Sequence, residues 1–344
     1  MKNTRKVDLL FGILIVLMLV SLPFAVPSAA ILEEADQRYV DSTPMGFYGG
    51  YNDDYEEYED YQEDEIEGSG GSMAPEDWVP PEVAFSLPFD LTPGQIPNPA
   101  LFTETTYVDA SISVIMEDHR AYDADFHVAR VKIAHPSQLR TALAGRPSAG
   151  RTAKPSLMAE NNNAVVAMNG DYYGNRKSGY IIRQGTVIRK NLPPNLHTLF
   201  IDENGDFHIV KGGDQDSLAA LLDTGLELVN AFSFGPALVI DGELMDMPDS
   251  YSFNIRGEEP RSAIGQIGPL EYLLVVVDGR RTNSDGVTVE NLGQFMYDMG
   301  CLQAFNLDGG GTAVMLFNNG YFSNKTENGE RSISDIIYFA TTVE

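Results

Sequence analysis

The chain has 344 residues, of which 43% are hydrophobic and 10% aromatic, enough apolar material for one large domain or two small ones. Its formal net charge of -27 argues against nucleic acid as a partner. A single cysteine, Cys301, rules out an intramolecular disulfide, and its place in an apolar run marks it as a small buried hydrophobe.

At the N-terminus Lys2, Arg5 and Lys6 precede an uncharged apolar run from Leu9 to Leu22, closed by Pro23, and Ser28-Ala29-Ala30 offers the small residues a signal peptidase reads. Residues 1–30 therefore read as a cleaved secretory signal or as an uncleaved anchor, since residues 9–26 reach about the 18 apolar residues a span needs. In both versions the protein is exported, either secreted or tethered on the outer face of the cytoplasmic membrane. Residues 31–99 read as a linker: first acidic and tyrosine-rich, as in Asp53-Asp54-Tyr55-Glu56-Glu57-Tyr58-Glu59-Asp60, then rich in glycine and proline. Like charges at that density repel and bury little. Export without disulfides suits a bacterial surface protein.

Residues 100–344 carry the pattern of a folded domain. Tyr107, Ala110, Ile112, Val114 and Met116, then Phe126, Val128, Val131 and Ile133, alternate with polar residues as half-buried strands do. Short helices are expected from Pro136 to about Gly145 and over Pro155 to Asn161. Ala164 to Met168 is a buried strand that delivers Asn169-Gly170-Asp171 at its end. Tyr180 to Val210 reads as a meander with turns at Gln184-Gly185 and Asn204-Gly205. Asp202 to Asp206 is too short for a calcium loop and reads as a turn. Tyr272 to Val277 is a buried strand ending in Asp278-Gly279-Arg280. Leu292, Phe295, Met296 and Met299 recur at helical spacing between Thr288, an N-cap, and Gly300, a stop. Leu302 to Leu307 forms the next strand. Parallel pairing of the two strands with a right-handed crossover would bring Asp278 and Asp308 to one rim. The expected fold is α+β: a mixed central β-sheet with helices packed against it, in a single catalytic domain.

The last of these strands runs into Asn306-Leu307-Asp308-Gly309-Gly310-Gly311-Thr312. Three successive glycines are expected where the backbone takes positive φ or lets another molecule approach closely, and their N–H groups can form an anion-binding concavity beside the Asp308 carboxylate. A capped glycine-rich turn explains the same residues. Together with Ala167-Met168-Asn169-Gly170-Asp171-Tyr172-Tyr173, Ser233-Phe234-Gly235-Pro236, Arg261-Ser262-Ala263-Ile264-Gly265 and Val277-Asp278-Gly279-Arg280, in that order, the stretch resembles the phosphodiester glycosidase family over roughly Thr105 to Thr342. Where the family usually has serine after the glycines this chain has Thr312, which keeps the hydroxyl.

The resemblance implies hydrolysis of the bond between a sugar's anomeric carbon and a phosphodiester, with a glycosyl phosphodiester or envelope polysaccharide as the partner molecule. Cleaving a glycosidic bond ordinarily takes carboxyl groups, and Asp171, Asp278 and Asp308 are the candidates delivered by strand ends. Arg261 and Arg280 offer bidentate donors to the phosphate, Arg261 being preferred, and Gly309, Gly310 and Gly311 offer backbone N–H groups. Asn169, Asn306 and Thr312 complete the substrate-binding candidates. The five histidines, His119, His127, His135, His197 and His208, have no zinc-ligand spacing. No metal, cofactor or protein partner is expected. The reading from another class is a non-catalytic glycan-binding or exopolysaccharide-organising surface protein.

Overall fold

A computed structural model describes residues 78–81, 84–147, 150–324 and 329–343. The signal or anchor expected over residues 1–30, and most of the acidic linker, lie outside the described residues. Within them no helix is long and apolar enough to cross a membrane.

The α+β expectation is corrected. Every strand pairing among the described residues is antiparallel, in three sheets, and the α-helices are short: Pro155–Asn161, Gln215–Asp223 and Val289–Asp298. The fold is β-rich, with strand hairpins where a mixed sheet was expected. The eight-stranded sheet runs Thr106–Val108, Ile112–Ala121, Ala124–Ile133, Glu271–Val277, Arg261–Gly268, Gln303–Leu307, Ala237–Ile240 and Glu243–Leu244. A second sheet orders Thr186–Asn191, Gly179–Arg183, Leu228–Phe234, His197–Asp202 and Phe207–Val210. The third orders Gly320–Tyr321, Met315–Phe317, Val166–Asn169, Asp335–Phe339 and Leu139–Leu143.

The physical reason for the correction lies in one strand. Arg261–Gly268 inserts between Glu271–Val277 and Gln303–Leu307 and pairs antiparallel with both, so that Ile264 opposes Leu274 on one side and Phe305 on the other. Its two neighbours therefore run parallel to each other without touching. Their C-terminal ends do reach one rim, with Arg261 starting the middle strand between Asp278 and Asp308.

Side-chain alternation assigns the two faces of this sheet. Ala263, Val275, Val277 and Ala304 face the helix Val289–Asp298, whose Leu292, Phe295 and Met296 cover them. The helix is capped as expected, Thr288 accepting from Asn291 N at 3.1 Å, and Gly300 follows it at φ +86. Ile264, Leu274, Val276, Phe305 and Leu307 face the other way, onto Leu199 and Phe232 of the second sheet and Val166, Met168, Ile337 and Phe339 of the third. Each such side chain, fully buried, contributes about 1.5–3 kcal/mol, so this shared core fixes how the three sheets meet. Cys301 lies in the helix-side core, where burial pushes its thiol up to about 12.

The hairpin between Gly179–Arg183 and Thr186–Asn191 turns on Gln184 at φ +46 and Gly185 at φ +75, as the sequence predicts. Asp202 accepts from Asn204 N at 2.8 Å and Asp206 N at 3.0 Å, a turn rather than an ion loop. Proline-rich residues 84–98 lie against the domain: the fully buried Arg140 donates to Pro88 O, Asp90 O and Thr92 O at 2.8–3.0 Å.

Candidate active site

The rim is stitched together by Asn169, the last residue of its strand. Its Nδ2 donates to Asp308 O at 2.6 Å, while its Oδ1 accepts from Ser262 Oγ at 2.8 Å and Val314 N at 3.2 Å. A side chain so engaged positions the chain around it and has little left for a ligand. The strand of the third sheet is thereby fastened to the middle strand of the large sheet and to the glycine turn.

Asp308 is presented by that fastening. Its Oδ1 accepts from Gly309 N at 3.0 Å and its Oδ2 from Thr312 Oγ1 at 2.8 Å. Burial pushes its carboxyl up to about 6, against the pull of those two donors and of the Arg331 and Arg176 charges. The residue lines a cleft of about 290 Å³, open mouth included, with Asn169, Tyr172, Asn175, Thr312, Arg331, Ser334 and Asp335 among its other walls. Tyr172 is held at φ +67, the left-handed region that costs a bulky residue energy, directly in that wall.

The triple glycine divides its duties. Gly310 takes φ +62. Gly309 does not, but a Cβ there would lie 2.5 Å from Pro260 O, so close backbone approach accounts for it. Most N–H groups of the turn point inward: Gly309 donates to Asp308, Gly310 to Pro260 O at 2.8 Å, and Thr312 to Gly309 O at 3.4 Å. As arranged, these donors are committed within the protein.

Asp171 is fully buried and leaves the cleft to Asp308. Its Oδ1 accepts from Arg183 Nη2 at 2.8 Å and Tyr173 N at 3.1 Å, and its Oδ2 from Ser233 N at 2.9 Å. Arg183 also donates through Nε to Asp335 Oδ2 at 2.7 Å, forming a buried Asp171–Arg183–Asp335 triad. Burial, with the nearby Asp171 charge, pushes the Asp335 carboxyl up despite that guanidinium. The approach of Asp335 depends on Gly170, where a Cβ would sit 2.5 Å from its Cγ. Asp335 Oδ1 and Ser334 Oγ, both in the cleft wall, have no hydrogen-bond partner in the protein.

Asp278 emerges on the same rim but turns to different company. Its Oδ2 accepts from Asn324 Nδ2 and lies 3.2 Å from His127 Nε2, while Ser284 Oγ donates to its carbonyl at 2.7 Å. His127 Nδ1 is 2.6 Å from Asp118 Oδ1. Burial alone would lower the His127 pKa, but the two flanking carboxylates raise it. Asp278 lines a second recess of about 200 Å³ with Pro260, Ala313 and Asn324.

The remaining arginine candidates are occupied, and Asn306 is half so. Arg261 donates to Val287 O at 3.0 Å, Asn254 O at 2.9 Å and Gly257 O at 2.6 Å, pinning the loop before its strand to the one that leads into the helix Val289–Asp298, and burial lowers its pKa to about 10. Arg280 pairs with Glu259 at 2.7 Å. Asn306 Nδ2 donates to Gly235 O at 2.7 Å, and its Oδ1 is buried without a partner. Among the described residues no group of three or more His, Cys, Asp or Glu side chains is placed to hold a metal ion.

Sequence reasoning missed Asp335, Arg183, Arg331 and His127. The signal for two of them was present: Asp335 interrupts the apolar run 333–339 and Arg183 ends the apolar strand Gly179–Arg183, and a charge among core residues needs an opposite charge beside it.

A model of the phosphodiester glycosidase family matches residues 162–340, just over half of the 344 residues and the span holding Asn169, Asp278, Asp308 and Asp335. The chain belongs to the phosphodiester glycosidase family. It is similar to YomE of Bacillus subtilis (strain 168), an SPbeta prophage-derived uncharacterized protein, at 29% identity over 189 residues, 52% of this chain and 28% of YomE. The chain thus spans well under a third of that relative's length. Its fold is similar to the catalytic domain of zebrafish N-acetylglucosamine-1-phosphodiester alpha-N-acetylglucosaminidase, solved in a form auto-inhibited by pro-peptide, with a TM-score of 0.54 at 20% identity over 67% of this chain and 83% of that one.

Proposed function

We propose that the chain is an exported hydrolase that cleaves the glycosidic bond of sugar-1-phosphodiesters in envelope or extracellular polymers. The observation that supports this reading most is the placement of Asp308: a carboxyl poised near neutrality, lining a cleft, with an arginine on the same wall. In its ionised form Asp308 takes the proton of a water that adds to the anomeric carbon. The bond from that carbon to the phosphate oxygen breaks, and its electron pair leaves with the phosphate. A phosphate leaving group needs charge stabilisation more than protonation, so one basic carboxylate and one cation supply the chemistry. Asn169 serves by fixing the Asp308 backbone, and Thr312 by holding the carboxylate from the other side.

The test is incubation of the purified chain with a panel of sugar-1-phosphodiesters, monitoring free sugar. Sugar release with an acid limb near pH 6 that disappears in Asp308→Asn is expected. Binding without release across the panel would replace this reading with the glycan-binding one. N-terminal sequencing of secreted and membrane fractions tests export, and full-length protein confined to the cytoplasm would remove that part.

A further inference from the structure

We infer that Arg331 is the residue that recognises the phosphodiester, and that a small residue at Gly311 leaves room for its guanidinium; this deepens the reading of the cleft just given and rests on it. A phosphate needs donors not already committed, and the other cations around the rim are tied down by carboxylates or carbonyls, Arg176 by Asp171 through Nη2 with its Nε and Nη1 buried. Arg261 is spent on three carbonyls, Arg280 on Glu259, and Arg183 on two buried aspartates. The Gly309 and Gly310 N–H groups are bound to Asp308 and to Pro260 O, which leaves only that of Gly311 among the glycine donors.

Arg331 differs. It is exposed at the cleft, its charge acts on Asp308, and among the described residues its guanidinium has no hydrogen-bonded or ion-paired partner. Its neighbour Glu330 does not compete for it, because that carboxylate accepts from Ser156 N at 2.6 Å and Ser156 Oγ at 2.9 Å. Gly311 supplies an independent observation. It lies outside the left-handed region, and a Cβ there would meet only Arg331, Cδ at 3.6 Å and Nη1 at 3.7 Å. Neither backbone conformation nor packing by the rest of the protein requires glycine at this position. A longer side chain would occupy the space over which the guanidinium lies. There its planar donors are free to meet two oxygens of a phosphate, beside the carboxylate that acts on the sugar. In a chain of net charge -27 such a local cation decides whether an anion stays.

The test uses the full chain and two probes that lack a sugar, dimethyl phosphate and inorganic phosphate, titrated by calorimetry. Arg331→Gln is expected to weaken dimethyl phosphate binding by about 10- to 100-fold, the range for losing a hydrogen-bonded charge, with Arg331→Lys in between. Gly311→Leu should weaken it as well while the fold, followed by circular dichroism, persists. Arg120→Gln, which removes one exposed charge paired with Asp125, controls for net charge and should leave binding unchanged. Wild-type binding that survives in Arg331→Gln, or no wild-type binding at all, overturns the inference, even if the chain hydrolyses a sugar phosphodiester. Binding that is lost in Arg331→Gln in a chain that hydrolyses nothing would uphold Arg331 and remove the proposed reaction instead.

Discussion

Asp278-Gly279 and Asp308-Gly309 are the same dipeptide at the ends of two apolar strands on one rim, and both glycines press on Pro260. A Cβ at Gly279 would lie 2.6 Å from Pro260 N, and one at Gly309 would lie 2.5 Å from Pro260 O. The carboxylates diverge. Asp278 is enclosed by His127 and Asn324, whereas Asp308 is held by its own turn and left facing the cleft. The dipeptide therefore specifies the turn, while partners distant in sequence decide whether the charge is structural or available.

Neutralising each carboxylate in turn tests the difference between them. Asp308→Asn is expected to lower kcat on a sugar-1-phosphodiester by about 10²- to 10⁴-fold, the usual contribution of a general base, with KM little changed. Asp278→Asn should cost less than about tenfold, because its carboxylate acts through His127 and Asn324 rather than on substrate. Equal losses in the two variants would merge the two recesses into one site.

A smaller effect separates the two in stability. Burial raises the Asp308 carboxyl from 3.8 to about 6, so the folded state holds this proton more tightly than the unfolded chain does. The protein is thus favoured below the unfolded value, and that advantage is lost as pH rises through about 6. The gap corresponds to roughly 3 kcal/mol. Asp308→Asn keeps an acceptor for Gly309 N and carries no charge, so its urea midpoint should exceed that of wild type at pH 8 and match it near pH 4. A variant less stable than wild type at both values would mean that the charge is needed for the fold.

How far these differences were legible follows from the kind of interaction involved. Most strand positions, the Thr288 cap and the Gln184-Gly185 turn depend on neighbours in sequence, and the periodicity revealed them, whereas the helix expected from Pro136 to about Gly145 is a single turn followed by the strand Leu139–Leu143. Sheet order does not. Nothing in the run Tyr272 to Leu307 shows that Arg261–Gly268 lies between its two strands, and reading only the adjacent pair produced a parallel crossover in place of an antiparallel sheet. The rim survived that error because two strands antiparallel to a third still end together. Arg261 was preferred as a phosphate donor for its residue type, but three carbonyls from the loops that cover its strand occupy it. Arg331 was passed over because it stands outside any glycine motif, although its run ends at Asp335 in the same cleft.

The glycines beside the two carboxylates differ at still lower energy. Gly279→Ala and Gly309→Ala should each cost about 1–3 kcal/mol, since the new methyl meets backbone that cannot easily move. Gly311→Ala, whose methyl has only the flexible Arg331 side chain within 4 Å, should stay within about 0.5 kcal/mol. Denaturant titration of the three ranks them, and a cost at Gly311 equal to the others would tie it to the turn.

The smallest expected effect belongs to His127, and it falls on the opposite side of the pH scale from that of Asp308. The groups facing its ring are Asp118 from the adjacent strand, Asp278 from the strand on its other side, and the Phe322 ring edge-on at 5.9 Å. Burial opposes the imidazolium, yet the two carboxylates prevail and raise its pKa above 6.5. A histidine with a raised folded value contributes its full stabilisation below the unfolded value and loses it as pH climbs through the folded one. Wild type should therefore lose stability as pH rises above 6.5, and His127→Asn should flatten that limb while leaving the acid-side slope set by Asp308. Asp118 is largely exposed, so water screens its share and Asp278 carries most of the effect. An alkaline limb unchanged in His127→Asn would show that the histidine stays neutral in the folded protein.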